Sequence, residues 1–159
     1  MAPLPTILLV HGAWHTPRAY EPLTRALEAR NFKTICPLLP SCNPALPPTH
    51  SLAEDVSLIR SIATRLIEDE GQEVVAIAHS YGGVVVTDAL AGLGWAQKSK
   101  EGKNGGVVNL VYLAAFIPRA GQSLAGLFGE DGPPPMVKFS VRTHKSAYIQ
   151  TGGKREQYG

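Results

Sequence analysis

Residues 74–83 read VVAIAHSYGG: an apolar run from Val74 to Ala78, then His79, Ser80 and Tyr81, then the pair Gly82-Gly83. A short run that is apolar at every position suits a strand buried on both faces. The stretch that follows, Gly82 to Leu93, reads as a helix. Ser80 therefore falls on the turn between a buried strand and a helix. A nucleophile held on such a turn needs a strained backbone, and its neighbours at −2 and +2 must be small enough for the chain to bend sharply. Here those neighbours are Ala78 and Gly82. The usual pattern is G-x-S-x-G, so Ala78 is a small departure. The turn is expected to lift the Ser80 hydroxyl clear of the carboxyl edge of the sheet, where ligands bind in such folds. The positive end of a helix dipole lies behind it. The competing reading is a tight strand-to-helix turn whose serine only caps the helix.

Working outward toward the N-terminus, Thr6 to Val10 is a second continuously apolar run and a candidate buried strand. Thr16-Pro17 reads as a cap followed by proline at the first helical position. Tyr20, Leu23 and Leu27 then fall at helical spacing, and Asn31 is a stop. Lys33 to Cys36 reads as a brief strand. Pro37 to Pro48 holds five prolines and reads as a loop. Ser51-Leu52-Ala53-Glu54 matches a capping box. Behind it, Val56, Ile59, Ile62, Ala63 and Leu66 trace one apolar helix face that ends near Gly71.

Toward the C-terminus, Gln97 to Gly106 is polar and glycine-rich, a surface loop, and Val107 to Phe116 is a strongly apolar strand. Ala120 to Pro135 is rich in Gly and Pro, and Met136 to Val141 reads as a short edge strand. Strands alternating with helices, the strands buried on both faces, imply an α/β fold: a mostly parallel sheet with helices on both faces.

The chain has 159 residues, 44% of them hydrophobic, which is the composition of one globular domain. Its net charge of +2 is too small to suggest a nucleic-acid or membrane partner. The charge is uneven. From Lys138 onward five Lys/Arg face one acid, a tail of +4, which leaves −2 on residues 1–137. Residues 1–137 are read as the core, with the start of a lid at about 117–137, and residues 138–159 as a basic, disordered tail. Cys36 and Cys42 have neither redox-pair nor zinc-site spacing, and read as free thiols in a reduced, cytoplasmic setting. No apolar run approaches the roughly 20 residues that span a bilayer. No metal site and no cofactor is expected.

The second piece of chemistry is His11-Gly12-Ala13-Trp14-His15, directly after the first strand. Acyl transfer needs hydrogen-bond donors for the oxyanion of a tetrahedral intermediate. On a fold of this type they are the N–H after the nucleophile and one from an early strand–helix loop, here Tyr81 and Ala13. Gly12 lets the backbone approach closely. The competing reading gives Gly12 a turn and Trp14 a place in the core.

ILLVHGAWH (7–15), VVAIAHSYGG (74–83) and LVYLAAFIPRAGQSL (110–124) together resemble the N-terminal part of the α/β-hydrolase superfamily. The similarity is to the branch of small plant esterases, hydroxynitrile lyases and fungal hydrolases, and it runs from about Thr6 to about Pro135. The resemblance implies that Ser80 is the nucleophile and that Ala13 and Tyr81 form the oxyanion hole. His11, Gly12, Trp14, His15 and His79 would then contact or frame a small-molecule acyl substrate, with His11 orienting the oxyanion loop. Members of the family continue well past this length, with an acid and then a histidine following the nucleophile. Asp131 and His144 follow Ser80 in that order. They lie in lid-like and tail segments without the helix–strand units that place a triad, so they are weak substitutes.

Two functions follow as expectations. One is hydrolysis of an ester, lactone or similar acyl bond through an acyl-serine intermediate, with a lyase on the same scaffold as a variant. The other is a truncated product or pseudoenzyme that binds a ligand or partner without catalysis. The 107–116 strand is expected to lie on an open edge and to favour self-association.

Overall fold

The structure, a computed structural model, describes residues 3–43 and 49–129 together with the backbone of residues 137–142 and 146–151. Four strands form one sheet: β1 (Thr6–Val10), β2 (Thr34–Ile35), β3 (Glu73–His79) and β4 (Gly106–Leu113). Their order is β2-β1-β3-β4, and every pairing is parallel. The helices between them are α1 (Glu21–Glu28), α2 (Leu52–Thr64), α3 (Gly82–Ala89) and α4 (Trp95–Lys100). This is the α/β class that the sequence implies.

β1 is buried at all five positions, as its unbroken apolar run requires. Leu8 and Val10 of β1 join Val74, Ala76 and Ala78 of β3 in one core. Ile59 and Ala63 of α2, and Val85, Val86 and Ala89 of α3, close it. The capping box at the start of α2 is formed. The Ser51 N–H donates to Glu54 Oε2 at 2.8 Å, and Ser51 Oγ accepts the Ala53 N–H at 3.3 Å. Asn31 takes a left-handed φ of 64° just beyond α1, a conformation that Asn tolerates and that ends helices.

The order of strands fixes where a site can lie. From β1 the chain crosses to β2 on one side, and from β3 it crosses to β4 on the other. The crevice between the carboxyl ends of β1 and β3 is therefore a topological switch point. Val10 pairs with Ala78 at the end of the ladder, so the His11–His15 loop and the Ser80 turn emerge side by side.

Two expectations are corrected. The segment from Gln97, read as part of a loop, begins inside α4. Lys98 Nζ bridges Glu68 Oε1 and Glu101 Oε2, each at 2.8 Å, and this pairing buries the stem of a lysine in a stretch whose composition reads as solvated. The tail is not disordered throughout: β5 (Val137–Arg142) and β6 (Ser146–Thr151) form a separate antiparallel two-stranded sheet. Each supplies the ladder partner that a lone strand in this basic stretch lacks. β4 ends its sheet at the side away from β3.

Candidate active site

Ser80 has φ of 51°. A non-glycine residue held in the left-handed region is strained, and such strain gathers at functional sites. The strain is held from several sides. The Ser80 N–H donates to Leu113 O at 3.4 Å, and Ser80 O accepts the N–H groups of Gly83 at 3.0 Å and Phe116 at 3.1 Å. The two glycines after it let α3 start this close to the sheet. A Cβ on Gly82 would lie 2.3 Å from Val10 O, and one on Gly83 would lie 2.2 Å from Phe116 O. The motif is thus a packing requirement of β1, β3 and β4 meeting at one point. A serine acting only as a helix cap would not need it, and the N-cap position of α3 is taken by Tyr81, not Ser80.

The loop after β1 meets this turn directly. A Cβ on Gly12 would lie 3.0 Å from His79 Nδ1 and 3.2 Å from Ser80 Cβ. Among the described residues, neither the Ala13 N–H nor the Tyr81 N–H donates a hydrogen bond. Their directions are nonetheless fixed, because a peptide is planar and trans, so holding its carbonyl aims its N–H the opposite way. The carbonyl partner of the Tyr81 N–H is Ser80 O, held by Gly83 and Phe116. The carbonyl partner of the Ala13 N–H is Gly12 O. It accepts His11 Nδ1–H at 2.8 Å and the His15 N–H at 3.3 Å. Two unpaired, oriented N–H groups beside a strained serine suit an oxyanion.

The histidines have separate roles. His11, expected from sequence to orient the loop after β1, is 0% exposed. The Leu39 N–H donates to His11 Nε2 at 3.0 Å. That nitrogen must then be the acceptor, which leaves the proton on Nδ1 for Gly12 O. Burial lowers the His11 pKa from its ordinary value, in keeping with this neutral form. His11 therefore aims the Gly12–Ala13 peptide. His79 is half-buried, its Nδ1 hydrogen-bonded to the Tyr20 hydroxyl at 2.6 Å, and burial followed by the neighbouring His15 lowers its pKa. The Gly12 N–H donates to the same Tyr20 oxygen at 3.0 Å. His15 is exposed, with its ring 5.5 Å from that of His79. Trp14, at φ of 62°, is 57% exposed beside Ala13 and does not fill the core.

No histidine nitrogen and no carboxylate among the described residues is hydrogen-bonded to Ser80 Oγ. Asp131 and His144 lie outside the described residues. No described group of three or more His, Cys, Asp or Glu is arranged for a metal ion. Both cysteines are free, with burial pushing Cys36 up to about 11 and Cys42 upward as well, which keeps them as unreactive thiols.

Sequence reasoning missed Asp55. It is 0% exposed on α2. Its Oδ2 accepts the Tyr81 hydroxyl at 2.8 Å and Ser41 Oγ–H at 2.5 Å, and its Oδ1 accepts the Ser41 N–H at 2.9 Å. Burial, then the charge of Asp55, raises the Tyr81 phenol far above its ordinary range, so it stays a donor. The signal in the sequence was positional. Asp55 stands four and eight residues before Ile59 and Ala63, which puts an acid on the apolar stripe of its helix.

Comparison with known proteins agrees with this geometry. Residues 7–154 match the Alpha/beta hydrolase family. An alpha/beta hydrolase of Aspergillus novofumigatus, nvfD, is 34% identical over 135 residues, 85% of this chain and 52% of the relative. A carbendazim hydrolyzing esterase of a Nocardioides species is 31% identical over 144 residues, 88% of this chain and 54% of that one. The crystal structure of a polyneuridine aldehyde esterase superposes with a TM-score of 0.65 at 21% identity, over 91% of this chain and 56% of its own, a likeness of fold. The chain thus spans about half the length of the relatives it matches. With the switch-point crevice and the strained serine turn on the same elements that the family match covers, this chain belongs to the alpha/beta hydrolase family.

Proposed function

We propose that the chain carries the nucleophile and oxyanion hole of a serine hydrolase that cleaves an ester, lactone or similar acyl bond. The observation that supports this best is the pairing of Ser80, at φ of 51°, with the unpaired Ala13 and Tyr81 N–H groups. Ser80 Oγ attacks the acyl carbon, and its proton passes to a general base. The carbonyl oxygen becomes an oxyanion held by the two N–H groups. Its collapse expels the alcohol, which takes the proton, and water then releases the acid from the acyl-serine. Losing one oxyanion donor typically costs ~3 kcal/mol of transition-state stabilisation. One of the similar proteins bears the name esterase, which supports an ester-type acyl bond as the substrate class. The proposal includes a cytoplasmic setting and a small-molecule substrate. No helix among the described residues is long and apolar enough to cross a membrane.

A second reading, a non-catalytic binding module, is favoured by one observation: no described base reaches Ser80 Oγ. A serine without a base is a weak nucleophile. A fluorophosphonate probe separates the two. Hydrolase function predicts labelling of the chain that Ser80→Ala abolishes. Equal labelling of the variant refutes Ser80 as nucleophile, and no labelling of either protein carries the second reading.

A further inference from the structure

We propose that Asp55 is a positioning residue for the oxyanion hole, a buried carboxylate that braces both of its N–H donors against each other. The inference rests on the serine-hydrolase reading above. A carboxylate taken fully out of water is costly unless it is hydrogen-bonded on several sides. Asp55 meets that condition with three donors from two places: the Tyr81 hydroxyl and the side chain and N–H of Ser41. The two places lead to the two halves of the site.

On one side, Tyr81 is itself the residue whose N–H faces the oxyanion. Its side chain is buried. Its phenol is tied to α2 at one end and its backbone to the Ser80 turn at the other, so the side chain is a strut that fixes where the Ser80–Tyr81 peptide sits. On the other side, Ser41 lies in the turn whose Leu39 N–H donates to His11 Nε2. His11 in turn holds Gly12 O, and so aims the Ala13 N–H. A continuous path of hydrogen bonds and short backbone links therefore runs from Tyr81 through Asp55, Ser41, Leu39 and His11 to Gly12. A capping or core role for Asp55 would need none of these partners: Ser51 and Glu54 already cap α2, and an apolar residue would fill the space. Oxyanion stabilisation depends on donors that do not reorganise, and this path supplies that rigidity.

The test uses the 159-residue chain and two variants, Tyr81→Phe and Asp55→Asn. Tyr81→Phe removes only the strut hydroxyl and leaves Ser41 on the carboxylate. Amide hydrogen exchange is followed at Gly83 and Phe116, whose N–H groups hold Ser80 O, and in the β1–β3 ladder as a control. Loss of one such bond predicts exchange about tenfold faster at Gly83 and Phe116 in both variants, with the ladder unchanged. Unchanged exchange at Gly83 and Phe116, or a uniform rise that includes the ladder, overturns the proposal, because either assigns Asp55 to general stability alone. Phenylboronic acid, which forms a tetrahedral adduct on an active serine, provides the second readout. Weaker binding to both variants, again by about tenfold, is expected. Faster exchange with undiminished boronate binding also overturns the proposal. If the unaltered chain binds no boronate at all, the serine-hydrolase reading fails, while the exchange pattern still decides whether Asp55 braces the turn.

Discussion

Gly82→Ala adds one methyl at the tightest point of the site. The new Cβ would sit 2.3 Å from Val10 O and 2.9 Å from His11 O. Both are backbone atoms of β1 and its following loop, so no side chain can swing aside. Restoring ordinary van der Waals separation needs a shift of roughly 1 Å between α3 and β1. Overpacking a rigid interior costs about 1–3 kcal/mol, and a clash with backbone belongs at the upper end. Against this, Ala is favoured over Gly in a helix by at most about 1 kcal/mol. The net loss is about 2 kcal/mol, which for a chain of this size lowers Tm by about 4–8 °C. The same shift moves Ser80, and misplacing a reacting group by about 1 Å can lower its rate about 100-fold. Thermal unfolding followed by circular dichroism, with the rate of fluorophosphonate labelling at Ser80, measures both. A variant that melts no lower than the parent and labels at the same rate would refute the packing argument, and with it the reason that a glycine follows Tyr81.

The remaining predictions concern pH and the open edge. His11 is buried with its pKa lowered, so the unfolded chain binds its proton more readily than the folded one. The contribution is therefore fully present above the ordinary histidine value near 6.5 and is lost as pH falls below it toward the folded value. The unfolding free energy from urea titration should fall between pH 7 and pH 5.5, by no more than about 1.4 kcal/mol per pH unit from this residue. His11→Gln, which retains a donor and an acceptor, should flatten the slope, and an identical slope in the variant would exclude His11 as its source. β4 presents Val111 and Leu113, 44% and 48% exposed, on a strand that ends its sheet. We expect the 159-residue chain to self-associate through this edge at micromolar concentration, and Val111→Lys with Leu113→Lys to restore a monomer. Sedimentation velocity decides: a parent chain that runs as a clean monomer removes the edge as an association site.

What could be read from the sequence, and what could not, follows the distance over which each feature is determined. The serine turn is local: an apolar run from Val74 to Ala78, small residues two places either side of Ser80 and a helix behind them are all within Val74 to Leu93. The proposed oxyanion loop is nearly as local, since Gly12 and Ala13 lie two and three residues beyond the end of β1. The supports are not. The tautomer of His11 is set by the Leu39 N–H, 28 residues away, and the role of Tyr81 is set by Asp55, 26 residues away. Lys98, in a stretch that reads as a polar loop, lies in α4 and pairs with Glu68 from 30 residues earlier. Val137 to Val141 alternates apolar and polar, but a strand needs a partner, and β6 lies in residues whose composition favours solvent. Asp55 is the instructive case, because its signal was present as an acid on an apolar stripe. Periodicity showed that the position faces inward, and only the fold could show what it meets there. The chemistry we propose for this site would depend on two backbone N–H groups, which no side-chain motif encodes. Their directions come from carbonyls held by His11, Gly83 and Phe116, and from a carboxylate on a helix outside every motif. A substitution series confined to residues 11–15 and 78–83 would reach His11 and Gly83, and would leave untouched Phe116, Leu39, Ser41 and Asp55, the supports that lie outside both segments.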